Sequence, residues 1–222
     1  SLSRISIPSS INIINEYSFY GCTSLKTIKL SSSLEKIDDY SFCGCSSLIE
    51  IKIPSSVKSI GKSTFKNCSS LKTIKIPSSV DSIKEFLFRG CSSLESISIP
   101  ESINMIGIKS FSDCSSIIEI TLPSSIEKID DYLFYECSSL IDIKIPSSVK
   151  TIGCYSFSHC VSLKEIEIPS SVKSIGSYCF SNCSSLTITT LSSSMENIGD
   201  FLFDECSSLI EVKIPSSVKS IG

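Results

Sequence analysis

The sequence predicts a repeat solenoid in which short parallel strands stack coil on coil, joined by turns. Three observations carry this. Nine cysteines fall at positions 22, 45, 68, 91, 114, 137, 160, 183 and 206, every gap being 23 residues. A Phe stands three residues before each, from Phe19 to Phe203, and Leu or Ile three residues after, from Leu25 to Leu209. All eight prolines share one further phase of the same period. Self-similarity at this period marks units that cannot bury their apolar face alone and must stack to make a core.

The unit reads L-x-x-I-x-I-P-S-S-V-x-x-I-G-x-Y-x-F-x-x-C-S-S. The I-x-I stretch alternates with period two, so it is a strand with one buried face. Proline follows and ends it, because proline has no N–H to give to a ladder. Val and the next Ile, three apart and β-branched, make a second short extended piece. Gly61, Gly107, Gly153, Gly176, Gly199 and Gly222 come next; Asn15, Asp38 and Asp130 share their phase, and Lys84 is the exception. Those types tolerate positive φ, so a turn is expected there. The Y-x-F-x-x-C stretch is too short for a free helix, and one helical or 3₁₀ turn is expected. Equivalent strands one period apart make the sheet parallel, with coils about 4.8 Å apart and nine to ten coils spanning about 45 Å.

Composition narrows the function classes. The 222 residues are 41% hydrophobic and 19% charged, which excludes intrinsic disorder. Apolar runs are far shorter than the ~18 residues of a spanning helix, so no membrane insertion is expected. The segment Ser1–Pro8 has no charged head before an apolar stretch and does not read as a secretion signal. A net charge of −3 gives no global basic field, and no nucleic-acid partner is expected. One His is too few for most His-based metal or triad chemistry. With no linker or composition break, residues 1–222 read as one domain. Neither end looks like a polar cap, so the expectation is a fragment of a longer array.

These motifs closely resemble the BspA-like subfamily of leucine-rich repeats, over the whole chain. Ile74-Lys-Ile-Pro77 and Ile143-Lys-Ile-Pro146-Ser-Ser-Val149-Lys-Thr-Ile152-Gly153 are close copies of its unit. Ser18, Ser41, Thr64, Leu87 and Cys179 replace the family's Ala before Phe, Ser31 and Ser192 replace Pro, and Thr189 and Met195 weaken one unit. The resemblance implies a right-handed solenoid with its main sheet on the concave side and short strands, turns and single helical turns on the convex side. It also implies a cell-surface or extracellular protein that binds matrix or host proteins; a cytoplasmic location stays open.

Chemistry-bearing residues read mainly as structure. The cysteine column is a line of small buried apolar residues whose S–H reaches a loop carbonyl. A zinc site needs four converging ligands, which a 23-residue spacing does not supply. Cys43, Cys154 and Cys179 lie off the column in different phases. Twelve Cys without disulfide-framework spacing fit a reducing compartment or buried unpaired thiols. His159 sits in a phase also held by Asn67, Asp113, Glu136 and Asn182, and reads as a surface residue. The adjacent acids Asp38–Asp39 and Asp130–Asp131 read as turn-formers with a solvated charge, since paired-carboxylate hydrolysis needs two acids facing across a cleft. No phosphate-binding loop, zinc-protease motif or calcium loop occurs. The expectation is no enzyme and no cofactor. Asn67-Cys-Ser and Asn182-Cys-Ser match a glycosylation acceptor pattern.

Strand alternation picks the candidate binding surface. With both Ile of I-x-I inward, the outward positions carry Lys29, Glu50, Lys52, Lys75, Glu119, Asp142, Lys144, Glu165 and Glu167. Lys29, Lys52 and Lys75 form a basic stripe; Glu119, Asp142, Glu165 and Glu167 form an acidic patch further along. A face segmented in this way suits a protein partner of mixed charge, with a plain solvated sheet face as the competing reading. Tyr17, Tyr40, Phe86, Tyr132, Tyr155, Tyr178 and Phe201 share another phase, read as partly buried against the next coil with the tyrosine hydroxyls wet. End-to-end self-association through terminal strands is a further expectation.

Overall fold

The structure, a computed structural model, describes residues 2–222. It is a parallel β-solenoid of about nine turns. Ten strands form the first side of the stack: Arg4–Ser6, Thr27–Lys29, Glu50–Ile51, Thr73–Lys75, Ser96–Ser98, Glu119–Thr121, Asp142–Lys144, Glu165–Glu167, Ile188–Thr190 and Glu211–Lys213. Ten two-residue strands form the second, from Ile13–Ile14 to Ser220–Ile221. All pairings are parallel and in register by one period: Ile5 lies opposite Ile28, Ile74 opposite Ile97, and Ile152 opposite Ile175. On the first side the ladder is hydrogen-bonded in runs of five, two and three strands.

The repeat phases become continuous columns in the interior. Leu25 to Leu186, Val57 to Val172, Phe42 to Phe180 and Cys45 to Cys183 are buried, most of them completely. The phenylalanine rings form one stack, with neighbouring centroids 5.2–5.7 Å apart and planes within 20°. Phe88 and Phe111, consecutive members, are 5.7 Å apart. Each column cysteine from Cys45 to Cys206 donates its S–H to the carbonyl of the Phe in the coil before, at 3.0–3.2 Å. Serines tie the coils together elsewhere: Ser56 donates to the Leu34 carbonyl and Ser148 to that of Ile126, each at 2.6 Å. Where the family carries Ala, Ser41 and Thr64 are buried but donate to the carbonyls of Asp38 and Gly61, so their hydroxyls are satisfied.

Two expectations about the turn segment are corrected. The single helical turns do not form; among the described residues this stretch contains turns only. The cause is two left-handed positions four residues apart in every coil. One is the Tyr phase, with Tyr17 at φ 58° and Tyr155 at 55°. The other is the residue before the column Cys, with Gly44 at 75°, Asn67 at 59° and Glu136 at 58°. A helix needs consecutive right-handed residues, so it cannot propagate through them. The N–H groups alternate instead. Ser18, Tyr20 and Cys22 donate three residues back, whereas Tyr17, Phe19 and Gly21 donate to Asp39, Ser41 and Cys43 of the next coil. The second correction concerns the glycines after the second Ile, none of which has positive φ. They permit close approach instead: a Cβ on Gly61 would stand 2.3 Å from the Asp39 amide nitrogen.

Candidate functional site

The nine predicted residues of the long-strand face, Lys29, Glu50, Lys52, Lys75, Glu119, Asp142, Lys144, Glu165 and Glu167, are all exposed. Their placement follows from burial of the isoleucines between and after them, such as Ile51, Ile53, Ile143 and Ile145. The side chain of Ile188, put outward by the same alternation, lies outside the described ones. Two of the shallow grooves along this face hold most of these residues. One of about 950 Å³ is lined by Lys29, Glu50, Lys52 and Lys75, with Thr27 and Thr73 beside them. The other, about 720 Å³, is lined by Asp142, Lys144, Glu165, Glu167 and Thr190. Glu119 stands outside both, next to the uncharged strand Ser96–Ser98.

The ion pairs of the molecule lie away from this face. Among the described residues, none of the nine side chains takes part in an ion pair; the pairs are Lys36–Asp38, Lys58–Glu35, Lys62–Asp39, Lys72–Glu95, Arg89–Asp113, Lys128–Asp130 and Lys219–Glu196. None of the nine has a side-chain hydrogen bond either. The long-strand face therefore presents uncommitted charge, basic in one half and acidic in the other. The sign changes where the ladder is interrupted, between Ser96–Ser98 and Glu119–Thr121.

The remaining candidates are structural. Asp39 accepts the Lys62 amide at 2.9 Å and Asp131 the Cys154 amide at 2.8 Å, so these acids close turns between coils. Asp38 and Asp130 pair with the lysines two residues before them. His159 is half-buried with its ring edge-on to Tyr135, while Cys160 turns inward to the Phe134 carbonyl. All twelve thiols are free and nine are buried. Burial pushes the thiols up: Cys45, Cys91 and Cys179 reach about 12, and half-buried Cys206 about 11. A thiol raised this far stays protonated at neutral pH, and the protonated form is the weak nucleophile. Among the described residues no three His, Cys, Asp or Glu side chains converge as a metal site, and no helix is long and apolar enough to cross a membrane. Asn67 is exposed; Asn182 is half-buried and donates to the Ser181 hydroxyl.

Sequence reasoning missed the geometry of the aromatic stripe. Tyr132, Tyr155, Tyr178 and Phe201 stack at 4.8–4.9 Å, and Tyr17 stacks on Tyr40 at 5.1 Å. Lys109 occupies a gap in this row with its ammonium 4.2 Å from the Tyr132 ring centre. Each of these residues is left-handed, a state that the preference of Tyr for ordinary backbone gave no reason to expect. The recurrence of one ring type at one phase was the available signal.

Comparison with known proteins agrees with this geometry. A search of curated proteins finds no match. Among solved structures, a leucine-rich repeat protein from Bacteroides ovatus is 27% identical, with a TM-score of 0.78 over 98% of this chain and 74% of that one. A T. pallidum leucine-rich repeat protein is 30% identical, with a TM-score of 0.68 over 73% of this chain and 78% of that one. The pneumococcal vaccine antigen PcpA, 23% identical at a TM-score of 0.57 over 98% of this chain and 69% of that one, shares the fold. The model of the BspA type leucine rich repeat region, in six copies, matches residues 1–118 and 104–222. Period, register and match together place the chain in the BspA-type leucine-rich repeat family.

Proposed function

We propose that this chain is a non-enzymatic protein-binding solenoid that presents its long-strand face to another protein at a cell surface. The repeat family and the stacked fold support protein interaction in general. The finer reading rests on one observation: the nine charged side chains of this face are exposed and free of ion pairs, and every ion pair among the described residues lies elsewhere on the molecule. Unpaired charge of ordered sign steers and registers a partner without giving up internal contacts. The surface location is carried by the family resemblance. Binding to matrix proteins and to host cells, measured for the chain and for Lys29→Glu/Lys52→Glu/Lys75→Glu, tests it. Affinity is expected to fall at least about tenfold for an acidic partner. Unchanged binding would remove the basic stripe from the interface.

A second reading is favoured by the twelve free thiols: an intracellular scaffold in a reducing compartment. Localisation of the full-length protein, with thiol titration of material taken directly from cells, separates the two. Oxidised thiols at a cell surface would exclude the scaffold.

A further inference from the structure

We propose that the long-strand face takes a second copy of this chain, face to face and antiparallel. This rests on the reading above that partners bind there, and it names one such partner. The outward pairs are net positive at Thr27/Lys29 and Thr73/Lys75 and neutral at Glu50/Lys52, Ser96/Ser98 and Asp142/Lys144. They are net negative at Glu119/Thr121 and Glu165/Glu167. From Thr27/Lys29 to Glu165/Glu167, reversing that order about Ser96/Ser98 changes the sign of every net charge; Arg4, one strand further out, has no charged counterpart at Ile188/Thr190. A two-fold axis parallel to the strands and passing over Ser96 and Ser98 therefore sets Thr73/Lys75 against Glu119/Thr121 of the second copy. It sets Thr27/Lys29 against Glu165/Glu167 in the same way. Glu50/Lys52 then meets Asp142/Lys144, a neutral pair against a neutral pair. Within that pair like charges lie directly opposite, but each lysine reaches the carboxylate one outward position along, about 7 Å away.

Two physical points favour a second copy over a foreign partner. Every coil repeats at the strand spacing, so another copy has the same pitch and both complementary charged steps meet in register. A foreign surface would have to match that pitch independently. The contact is also isologous, the same patch on both molecules, which closes as a dimer and does not propagate. Parallel stacking, coil on like coil, would set Lys29, Lys52 and Lys75 on themselves and Glu165 and Glu167 on themselves. Repulsion thus selects the antiparallel arrangement. Ser96 and Ser98 leave no bulky or charged side chain at the axis itself.

Sedimentation velocity over a concentration series tests this, with folding of each variant checked by circular dichroism. The chain is expected to dimerise at low salt, and the dissociation constant to rise at least about tenfold between about 0.05 M and about 0.5 M salt. Lys29→Glu/Lys52→Glu/Lys75→Glu alone, and Glu119→Lys/Asp142→Lys/Glu165→Lys/Glu167→Lys alone, are expected to be monomeric. Mixed in equal amounts, the two variants are expected to pair. A chain that stays monomeric at about 1 mM, where only very weak association is missed, overturns the proposal. So does association that persists unchanged in both single variants, which is the signature of end-to-end contact. If the chain is monomeric but the lysine variant still loses a matrix or cell-surface partner, the face remains a docking surface and only the second copy is removed.

Discussion

Glu136, exposed at φ 58°, occupies a left-handed position that Gly21, Gly44 and Gly90 fill in other coils. An L-residue there costs about 1–2 kcal/mol, part of which glycine's greater freedom in the unfolded chain takes back. Glu136→Gly is therefore expected to stabilise the fold by about 1 kcal/mol in urea denaturation. Gly90→Ala is expected to lower stability by about the same amount, and its Cβ would press on the Asn67 side-chain oxygen. The thiols give a pH dependence with a definite sign. Burial raises the folded-state value of Cys91 from 9.0 to about 12, whereas the unfolded chain ionises near the ordinary value. The folded state thus holds more protons between these limits. The stabilisation is complete below about pH 9 and is lost as pH climbs toward 12. Urea midpoints are expected to fall steadily from about pH 8 to about pH 11, and an unchanged midpoint would contradict the buried thiol column. At this scale the sequence was only half legible. Asn, Asp and Gly announced turns, but the left-handed tyrosines did not, because their backbone state is imposed by hydrogen bonds to the next coil.

Columns are the elements of this protein, more than strands are. A three-residue strand such as Thr73–Lys75 has no stability of its own, and its register is held by the isoleucines beneath it. The Phe column contributes most per residue, because each ring from Phe42 to Phe180 is fully buried and stacked on both sides. Phe88→Ala in mid-array is expected to destabilise by about 3–5 kcal/mol, since the cavity is walled by the neighbouring rings and collapses poorly. Phe19, at the rim of the stack and only partly buried, should lose less on the same change. Comparing the two in one denaturation series checks whether the stack is continuous. The outward face was legible from alternation alone: all nine predicted residues are exposed. Their freedom from ion pairs was not, because Lys36–Asp38 and Lys29–Glu50 look equally able to pair in sequence. Only the first couple meets in space.

Across the whole molecule, each coil touches mainly its neighbours, so stability adds along the array. Deleting residues 92–114, one full period, is expected to leave a folded, shorter solenoid with an unchanged circular-dichroism shape and a modestly lower Tm. Deleting residues 92–113 leaves one surplus residue in a single coil while the later coils keep their 23-residue spacing, and is expected to lower Tm further than the full-period deletion without abolishing the fold. The sequence by itself determined the period, the parallel register, the buried columns and the outward set. Repetition makes equivalent residues neighbours, and apolar alternation leaves only one face to bury. Tertiary structure alone decided the rest: the turn segment is a ladder of left-handed turns and not a helix, the glycines serve close approach and not positive φ, and the long-strand charges stay unpaired. Those outcomes depend on distances between coils, which are fixed only when the backbone of one coil lies against the next.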